Sequence, residues 1–269
     1  CRYTLPTHGI ITNNGKDHLE GYGSIEGVRK GNGELYDHLR THGGVAFVMT
    51  DYDDLRNMSA GISRIVSYGT HDAQITGIVH SCTPLLEVLM TGGTGSKHIP
   101  TRLIGDYNLP NVLAAVAVGE HFGVDEEKIA SAISSYQPSN NRSQLVHRGT
   151  NKIFLDAYNA NPSSMQAAIE NFARQHDPGK VLVLGGMAEM GDASLDEHAG
   201  ILALIGQHAW KDVILVGGDF DKLSHRYRFF PDSASARDWL STKPWEDTYF
   251  LVKGSRSMRM ETVLEGLGQ

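Results

Sequence analysis

Short apolar runs alternate with amphipathic stretches along almost the whole chain, the pattern of strands that each feed a helix. Gly9-Ile10-Ile11 reads as a short buried strand, followed by a helix from about Ser24 to His42 and then the strand VAFVM. DYDDLRNMSA reads as a helix opened by an Asp cap, and IVSYG as the next strand. ITGIVHS and LLEVLM have period-two patterning and are joined by a Thr-Pro turn, with TGGTGSKHIPT as a Gly-rich turn beyond them. NVLAAVAVGEHFG is an amphipathic helix stopped by Gly123, and DEEKIASAISSY is a helix capped by Asp125 and ended near Pro138.

The stretch QPSNNRS, residues 137–143, is polar, contains Pro and has no apolar period, so a domain boundary is expected there. Beyond it the alternation becomes regular. The strand KIFLDAY leads to the helix PSSMQAAIENFARQ, KVLVLGG to a helix through HAGILALIGQHA, DVILVGG to the helix SARDWLS, and TYFLVKG to a terminal helix. Four strands each feeding a helix describe a doubly wound, mostly parallel sheet. The expectation is an α/β chain with residues 1–138 forming the later part of one domain and residues 139–269 a complete Rossmann-like domain.

Composition narrows the function classes. The 269 residues are 40% hydrophobic and 20% charged, as in a soluble globular protein. No apolar run reaches membrane-spanning length, and the first residues lack a basic-then-apolar signal pattern. A net charge of −7 argues against a nucleic-acid partner, which needs clustered Lys and Arg. Cys1 and Cys82 form neither a disulfide framework nor a metal-site spacing, which fits the cytoplasm. The 13 histidines include no HExxH, so no zinc site is expected from them.

Several strand ends carry candidate chemistry. His18 lies just beyond the first strand, where open α/β sheets place ligands. GGTGSKH (92–98) is not a phosphate loop, because Lys97 is followed by His-Ile-Pro and not by Ser/Thr entering a helix. Asn108 and Asn111 share a face at a helix start. Capping is the reading favoured by their position, and an adenine edge is the functional alternative. Asp156 ends an apolar strand in FLDAYNANPSSM, before Tyr158, Asn159 and Asn161. A ribose hydroxyl or an Asx turn would each use it, and Asn161 is free to cap the helix in either case. In FLVKGSRSMRM, Lys253, Ser255 and Arg256 surround an expected helix N-terminus suited to a carboxylate or phosphate.

Taken together, TNNGKDHLEGYGSIEGV, LIGDYNLPNVLAA, NNRSQ, DAYNANPSSM, LGGMAEMGDASLDEH and VKGSRSMRM resemble the Mur ligases. The resemblance is to the branch that adds D-alanyl-D-alanine to UDP-N-acetylmuramoyl-tripeptide (UDP-MurNAc-tripeptide and D-Ala-D-Ala as substrates). DAYNANPSSM and KGSRSMRM are specific to that branch, and the former disfavours a folylpolyglutamate- or cyanophycin-type ligase. The resemblance implies an ATP-dependent enzyme of cytoplasmic peptidoglycan precursor synthesis, with ATP and Mg2+ as cofactors and three domains. It implies His18 as a Mg2+ ligand, and Asn108 and Asn111 as adenosine contacts. Arg142 would reach the nucleotide phosphates and Asp156 the ribose, with Tyr158 and Asn159 beside it. The loops at Gly185–Gly186 and at Lys253, Ser255 and Arg256 would face substrate.

The departures carry expectations of their own. The family's substrate-binding domain and its Gly-Thr-x-Gly-Lys-Thr loop should lie upstream of residue 1, so this chain by itself is expected to be an inactive part of a ligase. The alternative is a non-catalytic binding or scaffold protein derived from one. Asn32 stands where the branch has a lysine expected to be carbamylated as a Mg2+ ligand. Lys30 lies about 200° away around the helix and is a weak substitute. Gly186 replaces an Asp, and Asn14 and Asp17 replace an apolar and a small residue. An incomplete first domain leaves a sheet edge open, which invites self-association.

Overall fold

The structure is a computed structural model that describes residues 1–16, 18–92, 97–176 and 179–268. It contains two compact units. One is built from residues 1–17, 22–102 and 106–136, the other from residues 18–21, 103–105 and 137–269.

The first unit holds a six-stranded sheet in the order β1-β2-β3-β4-β5-β6. Its strands are β1 (His8–Ile10), β2 (Val45–Met49), β3 (Arg64–Gly69), β4 (Ile75–Cys82), β5 (Leu85–Met90) and β6 (Lys97–Ile104). β1 to β4 pair in parallel, whereas β4 and β5 are antiparallel. Every residue of β2 is buried, as a central strand's continuous apolar run requires. β1 was expected to be buried but is half-buried, because it lies at the sheet's edge.

After the short α1 (Leu19–Tyr22) comes α2 (Ile25–His42), which buries Val28, Tyr36 and Leu39. Ser24 caps α2 by accepting from Gly27 N, and Gly43 closes it in the left-handed conformation. Gly27 has no alternative, since a Cβ there would come 2.1 Å from Tyr22 O.

α3 (Asp53–Met58) does not have the expected Asp cap: its N-cap is Tyr52 and no side chain bonds its first turn. Asp51 instead accepts from Thr70 N at 3.1 and 2.9 Å, joining the end of β2 to the end of β3. α4 (Leu109–His121) buries Val112, Leu113, Val116 and Ala117 and packs on β2, β3 and β4. α5 (Glu126–Ser135) is capped by Asp125 through Glu127 N, as expected. The expected Gly-rich turn 91–101 is overturned in its second half, where residues 97–101 belong to strand β6; its residues 93–96, like Asp17, lie outside the described residues.

The second unit holds a six-stranded sheet in the order β11-β10-β9-β12-β8-β7. Its strands are β7 (Gln144–Arg148), β8 (Asn151–Asp156), β9 (Lys180–Gly185), β10 (Asp212–Val216), β11 (Arg228–Phe230) and β12 (Tyr249–Lys253). All pair in parallel except β7, which is antiparallel to β8. Four of these strands match the apolar pattern. β7 and β11 escape it because they are edge strands whose residues are all half-buried or exposed.

Alternate residues of the central strands pack on opposite faces. Ile153, Leu155, Val181, Val183, Ile214, Val216, Phe250 and Val252 form one core with α8 (Ser233–Leu240) and the chain's C-terminal turns. Phe154 points the other way, with its ring edge-on to Phe172 of α6 (Pro162–Ala173), and α6 packs on α7 (Ser194–Ile205). The expected terminal helix is two 3-10 segments, Arg256–Met258 and Met260–Gly266, separated by Arg259 in the left-handed conformation. A left-handed residue interrupts the hydrogen-bond ladder an α-helix needs. Among the described residues no helix is long and apolar enough to cross a membrane.

Candidate functional site

In the second unit, β8, β9 and β12 bring three loops together at their C-terminal ends. Lys253 lies opposite both Asp156 of β8 and Leu184 of β9 in the ladder. Its Nζ is 2.5 Å from Asp156 Oδ2 and donates to Asn159 O at 3.2 Å, and the whole residue is 1% exposed. Asp156 Oδ1 accepts from Ser143 N at 3.1 Å. A carboxylate offers about four acceptor positions, so Asp156, with 19% of its side chain exposed, retains capacity for a hydroxyl donor.

Ser255, also buried, accepts from Ala188 N at 2.8 Å and donates to Ala160 O at 3.2 Å. Of the three donors expected at a helix N-terminus, Lys253 and Ser255 are thus consumed inside the protein, and a 3-10 turn stands in the helix's place. Arg256 alone is exposed. An ammonium buried between two strand ends needs its counter-charge close by, and Asp156 provides it.

Arg142 and Arg256 flank the ring of Tyr158, with guanidinium carbons 3.6 and 5.3 Å from its centroid. A hydrogen bond from Arg142, then the positive charges of Arg142 and Arg256, hold the Tyr158 hydroxyl below the usual tyrosine range. The residues before the site turn sharply: Asn140, Asn141 and Ser143 all have positive φ, and Asn141 O accepts from Ala157 N at 2.8 Å. A pocket of about 320 Å³ opens here, lined by Asn140, Asn141, Tyr158, Arg256, Arg259 and Glu261. Asn159 is exposed beside it in sequence, and Asn161 caps α6 in a reciprocal capping box with Ser164. Arg259 and Glu261 were not singled out from sequence, because no strand-end pattern marks a position beyond a 3-10 turn.

The Gly185–Gly186 loop is fixed from behind by His198, which is fully buried. Its Nε2 accepts from Met187 N at 3.1 Å, so Nδ1 carries the proton and donates to Ser194 O at 2.7 Å. Burial lowers the pKa of this imidazole and keeps it neutral in that tautomer. Gly186 also has a packing reason: a Cβ there would lie 2.4 Å from Gly218 Cα, and one on Gly218 would lie 2.5 Å from Gly186 Cα. The Asp of the related branch has no room against this backbone.

Asn108 makes no side-chain cap bond to α4, so the capping reading fails. Its Oδ1 accepts from Asn111 Nδ2 at 2.9 Å, and the two amides form one polar unit on the helix. Asn32 Nδ2 donates to Asn14 Oδ1 at 2.9 Å, and Asn14 Nδ2 to Asp54 Oδ2 at 2.8 Å. The replacement at residue 32 therefore comes with a partner at residue 14. His18 clusters with the second unit, where its Nδ1 meets the Glu189 carboxylate. Mg2+ prefers oxygen ligands. His18 offers only nitrogen, so it does not by itself build a Mg2+ site.

The chain's relatives agree with this architecture. A family model for the Mur ligase middle domain matches residues 2–119, and one for the Mur ligase glutamate ligase domain matches residues 141–256. The chain belongs to the Mur ligase family. It is 28% identical to the UDP-N-acetylmuramoyl-tripeptide--D-alanyl-D-alanine ligase of Bacillus subtilis over 99% of its length. It is 31% identical to the Escherichia coli enzyme of the same name over 98%. A crystal structure of MurF from Acinetobacter baumannii superposes with a TM-score of 0.85 at 26% identity, covering 98% of this chain and 60% of that one. The chain spans about 60% of the length of these curated relatives.

Proposed function

We propose that this chain supplies the nucleotide-facing and amine-facing parts of an ATP-dependent ligase that joins D-alanyl-D-alanine to UDP-N-acetylmuramoyl-tripeptide in peptidoglycan precursor synthesis. The observation that carries the reading is the loop cluster of Arg142, Asp156, Tyr158 and Arg256, built from the segments NNRSQ, DAYNANPSSM and VKGSRSMRM. A carboxylate is a poor electrophile. Transfer of the ATP γ-phosphoryl group makes it an acyl phosphate and releases ADP. Attack by the dipeptide amine then forms the amide and expels phosphate, with loss of one amine proton. Little covalent work falls to the protein in such a transfer; positioning and charge stabilisation dominate.

In this reading Asp156 accepts from a ribose hydroxyl with its remaining lone pairs, and Arg142 contacts the phosphates. Tyr158 and Asn159 line the same nucleotide side. Asn108 and Asn111 present a joined amide donor and acceptor to adenosine. Arg256 and the Gly185–Gly186 loop face the reacting groups, while Lys253 and Ser255 hold that loop system in place. Mg2+ would supply charge screening at the phosphates, and His18 would stand beside it only where oxygen ligands complete the set.

Binding of fluorescent ADP to the chain tests the nucleotide assignment. Arg142→Ala is expected to weaken it at least tenfold, and unchanged affinity would refute the placement. Amide formation by the ligase that carries these residues separates the second reading, a non-catalytic scaffold. The Asn14–Asn32 pair favours that reading, because an amide cannot be carbamylated. A protein that binds ADP yet forms no amide would establish it.

A further inference from the structure

We propose that the outer face of β4, β5 and β6 is a binding site for a zinc-class divalent cation, with His80, Glu87 and His98 as its ligands. One ligand atom from each of the three lies within 4.8 Å of the other two. His98 Nε2 is 2.9 Å from Glu87 Oε2, and the His80 and His98 rings meet edge-on with centroids 5.1 Å apart. Two imidazoles and a carboxylate are a ligand set that Zn2+ takes in tetrahedral sites with the fourth position left to water. At metal–ligand distances of about 2.0–2.1 Å, tetrahedral donors stand roughly 3.3 Å apart. The donors are therefore already near their bound separation, and side-chain rotation alone closes the rest.

The backbone explains how three residues on separate strands meet. β5 alternates with Leu86, Val88 and Met90 buried, which turns Glu87 outward. β6 does the same with Ile99 and Thr101 buried and His98 exposed. On β4 the pairing runs Val79 with Val88 and then Ser81 with Glu87, so His80 is an extra residue opposite that step. A β-bulge re-aims the side chain it inserts, and this one puts His80 on the face that carries Glu87 and His98. The three ligands thus come from three neighbouring strands of one sheet, a framework that holds their spacing before any ion binds. All three side chains are at least partly open to solvent, so the site is accessible.

None of the three residues belongs to the nucleotide cluster, and the chemistry differs from that of Mg2+. A hard ion that keeps its waters and prefers oxygen gains little from two imidazoles. Binding requires imidazoles whose ligating nitrogen carries no proton, and it takes the place of the hydrogen bond between His98 and Glu87.

Zn2+ binding to the full chain, measured by competition with a chromogenic chelator in the presence of millimolar Mg2+, tests the proposal. One equivalent of Zn2+ is expected to bind. His80→Ala and His98→Ala each weaken it at least tenfold, and Glu87→Gln weakens it less. His121→Ala disrupts a different close histidine pair, His8 Nε2 to His121 Nε2 at 3.1 Å, and leaves the affinity unchanged. Co2+ in place of Zn2+ should show a tetrahedral visible band that His98→Ala abolishes, a readout independent of stability. Zn2+ affinity unaltered in the His80→Ala/His98→Ala double variant, or lost only with His121→Ala, would overturn the assignment, as would displacement by Mg2+.

Discussion

Lys253→Met discriminates between a substrate-binding lysine and a structural one. Methionine keeps the length and the packing of the stem but removes the charge that faces Asp156 at 2.5 Å. The lysine side chain is 2% exposed and the aspartate side chain 19%, so the variant leaves a mostly buried carboxylate that still accepts from Ser143 N but has lost its counter-charge. Removing one partner of a buried ion pair costs about 3–5 kcal/mol, and the residual water access of Asp156 puts this case near about 3 kcal/mol. With a urea m-value of about 1.5–3 kcal/mol/M, the unfolding midpoint should fall by about 1–2 M. Asp156→Asn should cost a similar amount. The double variant should cost less than the sum of the two, with a coupling of about 2 kcal/mol. Urea unfolding of the four proteins, followed by far-UV circular dichroism, measures this cycle. A loss below about 1 kcal/mol with additive effects would refute the structural role. Weaker binding of substrate or nucleotide by Lys253→Met at an unchanged midpoint would do the same, because it would make Lys253 a ligand-contacting group.

Other consequences are equally direct. Asn161→Ala removes the side-chain acceptor that Ser164 N reaches at 2.7 Å, and should destabilise the second unit by about 1 kcal/mol in urea. Gly186→Asp, which restores the residue of the related branch, should cost about 2–3 kcal/mol and lower activity, because its Cβ meets Gly218 Cα. An active, equally stable Gly186→Asp protein would contradict the back-to-back glycine packing. Burial, more than any neighbouring group, pushes the Tyr36 pKa from 10.0 to about 12 in the folded state. The folded form therefore binds more protons than the unfolded one in that window. Its contribution is complete below pH 10 and is lost as pH rises toward 12, at up to about 1.4 kcal/mol per pH unit. Tyr36→Phe should flatten that alkaline slope in urea titrations, and an unchanged slope would assign it to other groups such as Tyr68, shifted in the same direction.

Much of the architecture is written in the apolar period. The strands VAFVM, KIFLD, KVLVLG, DVILV and YFLVK are buried in the middle of sheets, where continuous β-branched runs are diagnostic. Helix ends at Ser24, Gly43, Asp125 and Asn161 follow from local capping chemistry, which involves only neighbouring backbone. The edge strands Gln144–Arg148 and Arg228–Phe230 are silent in that signal because half their surface faces water.

Within the candidate site, residue types at strand ends were legible and their pairings were not. Asp156 and Lys253 stand 97 positions apart, and only the insertion of β12 between β8 and β9 turns them into a buried ion pair. The same holds for Arg142 on Tyr158, for Asn14 with Asn32, and for His80, Glu87 and His98 on three strands. Local sequence determines which residues begin and end each element, since caps and periods are short-range physics. Strand order and register decide which of those residues meet, because hydrogen-bonded neighbours in a sheet can come from any distance along the chain.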